Sequence, residues 1–399
     1  MSNSYPPRRA HTLAFLVVLQ FFYAWAWNSS DVLRPAFRVA LDLSLMQVGA
    51  GYSAQVVGAL AGAIAIVRFE HLVGRRHTLA LVSLGVGASL IGGVFVTDWA
   101  LFMVQRFAVG FFGGAVFPLT IGLIAELFES RVRGRLASLI DGTYFGAVVV
   151  LGLAAGQAGI GGWHALLWVG GLPPLLFALA AYRFIPEYPV VLDTCAPRAR
   201  ARDLFGAVHR SRTLALATMM GANACGSQAF SGWLTTYLYE IAQLSAPQVG
   251  TIVACQFIGA VAGCIGWGWV IDRYGRRAGA LGLVTSGMAA SALLLSPPTP
   301  LLLGIFAAVY GAAFSAVVSI GPWLAELYPP ELRTAATSMF QWGRFISLLA
   351  PLATGSVAAH WGLRTAMGLS IVAFALAAAI WSRLPETLVR HQELNRARL

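Results

Sequence analysis

One polar pattern occurs twice in this chain, about two hundred residues apart, each time between two long apolar runs. That duplication limits the fold more than any other feature. In the second copy, Gly268, Asp272, Arg273, Gly275, Arg276 and Arg277 stand in GWVIDRYGRR; in the first, Gly74, Arg75 and Arg76 stand in VRFEHLVGRR. A further echo sets Ala125-Glu126-Leu127 with Arg133 against Ala325-Glu326-Leu327 with Arg333, at a constant offset of 200. Two copies of one bundle of apolar helices is the plan of a solute carrier, with its site expected where the copies meet.

The apolar runs themselves are about 20 residues long, enough to cross a hydrocarbon core. They leave the chain 58% hydrophobic and only 11% charged, against roughly 25% charged in a soluble domain. The net charge of +11 would point to nucleic acid in a soluble protein. Here it reflects loop arginines that set orientation and meet anionic lipid, so nucleic acid is not an expected partner. All 27 basic residues are arginine. Cys195, Cys225, Cys255 and Cys264 are scattered, show no metal or disulfide spacing, and read as small residues within apolar surroundings.

The pattern predicts an all-α membrane protein of twelve transmembrane helices in two six-helix pseudo-symmetric halves. The first six spans fall at about 12–33, 46–67, 77–96, 100–127, 135–156 and 164–184. The second six fall at about 213–239, 248–270, 278–296, 301–327, 334–357 and 363–383. Residues 1–184 form the first half, 185–212 a basic cytoplasmic linker, and 213–399 the second half with a short tail. The first span follows Arg8 and Arg9 as a signal peptide would, but it lacks a convincing small-residue cleavage site and runs full length, so it reads as helix one. With the N-terminus inside, 22 arginines fall in inner segments and 3 (Arg34, Arg38, Arg364) in outer loops. That bias places both termini in the cytoplasm of an inner-membrane protein.

The two six-span halves and the G-x-x-x-D-R-x-G-R-R loop at Gly268–Arg277 resemble the major facilitator superfamily over essentially the whole chain. RFAVGFFGG followed by AELFESRVRG resembles its sugar- and organic-ion-transporter side. AELYPPELRTAATSMFQWGRFISLLAP is similar to its metabolite–proton symporters, aromatic-acid carriers among them. The resemblance implies alternating access, a cavity lined by helices one, four, seven and ten, and an arginine at Arg344 followed by Pro351. Two departures stand out. Aromatic-acid symporters carry Asp-Gly-x-Asp in helix one, whereas Tyr23-Ala24-Trp25-Ala26 holds no acid. In the first loop His71 and Leu72 replace the Asp-Arg pair, with Glu70 beside them, so the inner-gate contact is weakened, moved to Glu70, or dropped.

Loop arginines can cap helix C-termini and pair with acids, which makes a lock that must break when the inside opens. Gly74, Arg75, Arg76, Gly268, Asp272, Arg273, Gly275, Arg276 and Arg277 are the gating candidates, with Glu126–Arg133 and Glu326–Arg333 beside them. The bland alternative is solvated loop charge.

Deep charges point to substrate. A charged group at the bilayer centre costs at least about 2.5–3.5 kcal/mol unless paired or hydrated, and a guanidinium offers a fork to a carboxylate. Arg344 and Arg106 are therefore candidate anion contacts; the alternative for Arg344 is a structural pair with an internal acid. Asp141, at the position of Gln341 in the repeat, is a candidate proton carrier or the fixed partner of an arginine. Asp31 is a second proton candidate, or an interfacial pair with Arg34 near the outer surface. Tyr23, Gln55, Asn223, Gln228, Gln256, Trp323 and Gln341 complete the candidate substrate lining. Aromatic bodies with polar tips suit a ring-bearing solute, although aromatics near span ends also form ordinary belts.

No nucleophile with an oriented base, no metal cluster and no Walker loop is present in the sequence. The expectation is a carrier, not an enzyme, without cofactor or metal. It is a monomer coupling a small organic anion to protons. The alternatives are a proton-driven exporter of drugs or amphipathic compounds, and a non-transporting membrane sensor on the same fold.

Overall fold

A computed structural model describes residues 6–185, 201–206, 208–329, 332, 336, 339 and 342–388. Contacts divide the chain into two units: Met1–Leu192 with Leu238–Ala254, and Asp193–Tyr237 with Cys255–Leu399. The segment 238–254, placed by sequence in the second half, thus clusters with the first unit.

In the first unit the helices are α1 (Pro6–Val32), α2 (Arg34–Ala40), α3 (Leu45–Val73), α4 (Arg75–Gly92), α5 (Trp99–Gly113), α6 (Val116–Leu127), α7 (Ser130–Ala158) and α8 (Trp163–Phe184). Next come α9 (Arg210–Phe230), α10 (Leu234–Glu240), α11 (Ala246–Tyr274), α12 (Gly279–Leu295), α13 (Pro300–Phe314) and α14 (Ile320–Leu327). The last are α15 (Trp342–Ile346), α16 (Ala350–Trp361) and α17 (Leu363–Arg383). Among the described residues, 10 helical segments are long and apolar enough to cross a membrane. Spans seven and eleven are not among them, and span eleven is described only in part. Span seven breaks at Ser231–Trp233 between α9 and α10, and span eleven at Ser347–Leu349 between α15 and α16. The breaks in spans four, ten and eleven precede Pro118, Pro322 and Pro351. Each proline lacks the N–H that would close the preceding turn.

Glycine sets how closely the helices approach. In the first unit, a Cβ at Gly58 or Gly62 would overlap the carbonyl of Phe107 or Phe111, and one at Gly110 would overlap that of Gln55, so α3 and α5 touch backbone to backbone. In the second unit Gly259, Gly263 and Gly311 make the same contacts with Ala308, Ala312 and Gln256, joining α11 to α13. Every pair is displaced by 201 residues. Without a hydrophobic drive between helices in lipid, such close dispersion contact supplies the association. The α7 glycines Gly152 and Gly156 receive Gly250 of α11 in the same way, and Arg38 of α2 pairs with Glu240 of α10. These contacts tie 238–254 to the first unit.

Candidate functional site

In the first unit the candidates gather at the end of α1. Arg106 is fully buried on α5. Its Nε donates to Gln105 Oε1 at 2.6 Å and its Nη1 to Ser29 Oγ at 3.0 Å, while its Nη2 has no hydrogen-bond partner. The guanidinium lies 4.9 Å from the ring centre of Phe37 and 5.6 Å from that of Phe102. Asp31 Oδ1 accepts from Arg34 Nη2 at 2.6 Å, and the Arg34 side chain is 1% exposed. The expected pair is present, and Arg34 is buried with Pro35, Ala36 and Phe37 on α2, which continues from α1 past the single residue Leu33.

One turn below, Gln55 Nε2 donates to the Trp27 carbonyl at 3.1 Å, leaving its buried Oε1 unpartnered. Asn28 Nδ2 donates to the Tyr144 hydroxyl at 2.9 Å, and Tyr23 packs 6.0 Å from the Tyr144 ring. Asp141 stands one turn before Tyr144 on α7, part-buried, and forms no ion pair among the described residues. A Cβ at the flanking Gly142 or Gly146 would meet open space.

In the second unit, α9 carries Asn223 and Gln228, each with a buried carbonyl oxygen lacking a partner. Gln256 Nε2 donates to Ser231 Oγ at 2.6 Å. Gly343 meets the Met220 backbone and Gly221 meets Ile346, so α15 lies on α9 and places the part-buried Arg344 beside it. Trp323 is fully buried and stacks on Trp381, with ring centres 5.7 Å apart. Its neighbour Trp381 donates to the Arg276 carbonyl, so Trp323 belongs to the level of the polar loop. Gln341 and Arg333 lie outside the described residues, as does the side chain of Glu126.

The gating candidates differ between the units. In the first, Arg75 Nε reaches Glu70 Oε1 at 2.5 Å and Arg76 Nε donates to the Ile185 carbonyl at 2.8 Å. Arg133 donates to the Phe128 carbonyl at 2.8 Å, where α6 ends. In the second, Arg276 grips both oxygens of Glu326, at 2.7 and 3.2 Å, and reaches Asp272 at 3.1 Å. Arg277 Nε donates to the Leu384 carbonyl at 2.7 Å. Gly268 borders open space. Arg273 turns away from this network and lies over Trp269 and Tyr274, 5.7 and 5.8 Å from their ring centres.

Glu386 was not singled out in sequence. Its carboxylate accepts from the backbone N–H groups of Arg276 and Arg277, each at 2.9 Å, and from Thr387 and Leu388. Burial raises its pKa, but these four donors outweigh burial and hold it below the ordinary carboxylate range. Thr387 in turn donates to Glu326 Oε2 at 2.5 Å. The signal was available: Pro385-Glu386 follows span twelve as Pro186-Glu187 follows span six.

Among the described residues no three His, Cys, Asp or Glu side chains gather as a metal site. The arrangement can bind and release charge, and what it resembles is decided by comparison. The profile of the Major Facilitator Superfamily matches residues 16–246 and 216–398. The chain belongs to this superfamily. A probable 4-methylmuconolactone transporter of Cupriavidus pinatubonensis (strain JMP 134 / LMG 1197) is 27% identical over 387 residues, covering 92% of this chain and 89% of that protein. A 3-(3-hydroxyphenyl)propionate transporter of Escherichia coli (strain K12) is 27% identical over 378 residues, covering 90% of each. The crystal structure of the nucleoside transporter NupG superposes with a TM-score of 0.75 at 16% identity, covering 94% of this chain and 100% of that one. As a member of the superfamily the protein is a multi-pass membrane transporter and not an enzyme, with the all-α fold of two six-helix halves.

Proposed function

We propose that this major facilitator protein is a proton-coupled symporter of a small organic anion, a ring-bearing carboxylate. It works by alternating access, as a monomer in the inner membrane with both termini in the cytoplasm. The observation that carries this reading is the likeness, over nine-tenths of the chain, to carriers named for 4-methylmuconolactone and 3-(3-hydroxyphenyl)propionate.

The side chains support it. Arg106 and Arg344 supply positive charge within the two units, and a guanidinium fork matches a carboxylate. Gln55, Asn223 and Gln228 carry buried oxygens without partners, a cost of about 1–3 kcal/mol each that a hydrogen-bonding solute or water relieves. Asp141 takes the proton role in this reading: it is free of any ion pair among the described residues, so no bound cation holds it ionised. Asp31, bound to Arg34, is the second candidate.

The test is uptake of labelled 3-(3-hydroxyphenyl)propionate and benzoate by cells expressing the protein, with and without an uncoupler. Accumulation that collapses with the uncoupler and is lost in Arg344→Ala, with insertion intact, is the expected result. Asp141→Asn should impair accumulation more than exchange. Uncoupler-insensitive uptake would end proton coupling, and net export of the acids would reverse the direction.

A further inference from the structure

The buried charges at the end of α1 are unevenly matched. Asp31, two residues past the Ser29 that holds Arg106, forms its ion pair with Arg34 at 2.6 Å and is steadied by Ser30 Oγ at 3.2 Å. Arg106, fully buried, has neutral hydrogen-bond partners only, Gln105 and Ser29, and its Nη2 has none. A buried guanidinium without its own counter-ion is costly in a membrane and marks a site by default.

Packing does not demand that arginine. The α3–α5 crossing at Gln55 and Gly110 is repeated at Gln256 and Gly311 in the second unit, where Ala307 stands in place of Arg106. The same crossing is therefore made without charge. Around Arg106 the surroundings are built to hold the plane and leave one edge. Phe37 and Phe102 each lie within 6 Å of the guanidinium, and Gly51 offers no side chain because a Cβ there would strike the Phe102 ring. Both Phe37 and Arg34 come from α2, one turn apart.

We propose that Arg34 is a positioning residue that holds Asp31 off Arg106, so that the free edge of Arg106 serves an incoming carboxylate. This rests on the organic-anion reading above and gives its first-unit anion contact a built-in competitor. Asp31 is the resident anion, Arg34 sequesters it, and the solute's carboxylate takes the place on Arg106 that Asp31 would otherwise fill.

The three-body arrangement makes a prediction of opposite signs, which a merely structural role does not. Purified full-length protein in detergent is titrated calorimetrically with benzoate and with 3-(3-hydroxyphenyl)propionate. Asp31→Asn removes the competitor and should tighten binding about tenfold, as removal of one nearby charge at intermediate dielectric allows. Arg34→Gln releases Asp31 onto Arg106 and should weaken binding by a similar factor, about tenfold. The double variant should return to within about threefold of the parent, since neither competitor nor sequestering group remains. If Arg34→Gln does not fold, Arg34→Lys, which keeps charge without the fork, should fall between parent and loss. Weaker binding in both single variants, or no change in either, overturns the inference while leaving the carrier reading intact. Failure of the parent protein to bind either acid overturns both.

Discussion

The inner loops of the two units share a backbone and differ in their charges. In each, a glycine with positive φ, Gly74 at 84° and Gly275 at 95°, turns the chain between two spans. In each, the arginine two residues later donates to the carbonyl that ends the last span of its half: Arg76 to Ile185, Arg277 to Leu384. Beyond that frame the loops part. Among the described residues the first pairs Glu70 with Arg75, where the motif aspartate is replaced by His71; the side chain of Glu126, the counterpart of Glu326, lies outside them. In the second, Glu326 grips Arg276 and takes the Thr387 hydroxyl, while Glu386 caps the loop's backbone. The arginine-to-carbonyl tether is thus the structural constant of the fold. In the second unit a carboxylate network of Glu326, Asp272 and Glu386 is added to that tether.

The widest gap between the loops should appear on removing their acids. Glu326→Gln takes two guanidinium bonds and one hydroxyl bond from a part-buried cluster and should cost about 2–3 kcal/mol, against about 1–2 kcal/mol for Glu70→Gln. Thermal unfolding in detergent measures both; equal losses would show that the second guanidinium bond and the Thr387 bond of Glu326 add nothing to a single ion pair. Next come the glycines. Gly275→Ala forces a Cβ onto Glu386 as well as an unfavourable φ and should cost about 2–3 kcal/mol, whereas at Gly74 only the φ is at stake, about 1 kcal/mol. If Gly74→Ala proves the worse, the Glu386 cap is not seated as described.

The smallest effect concerns pH and sharpens the role of Glu386. Its folded pKa lies below its ordinary value, so its contribution is present above the unfolded value of about 4.3 and disappears as pH falls through the folded value. The thermal-midpoint gap between parent and Glu386→Gln should stay level from about pH 7 to 5 and close below that. A gap that widens with acidification would mean that the carboxyl is protonated in the folded protein.

Much of this was legible in the chain. The spans and the repeat follow from apolar run length and an offset near two hundred, because lipid leaves few ways to satisfy a backbone. The motif acid's loss at His71 was visible, and Glu70 was a named substitute. Other features were not legible. The i,i+3 spacing of Asp31 and Arg34 names their pair, but nothing local says that Arg34 is fully buried. Trp323 reads as cavity lining by helix position; its stacking on Trp381, nearly sixty residues away, was not legible. Glu386 lay past the last span and drew no attention until the loop it caps was seen in three dimensions.

Composition and periodicity alone determined that the chain is helical, crosses the membrane many times and is made of two related halves. Those properties depend on summed hydrophobicity and on spacing, which any stretch of sequence displays. Which carboxylate meets which guanidinium across the fold was decided only by the folded chain. Such an ion pair depends on a few ångströms of separation between residues remote in sequence, as Arg38 and Glu240 are.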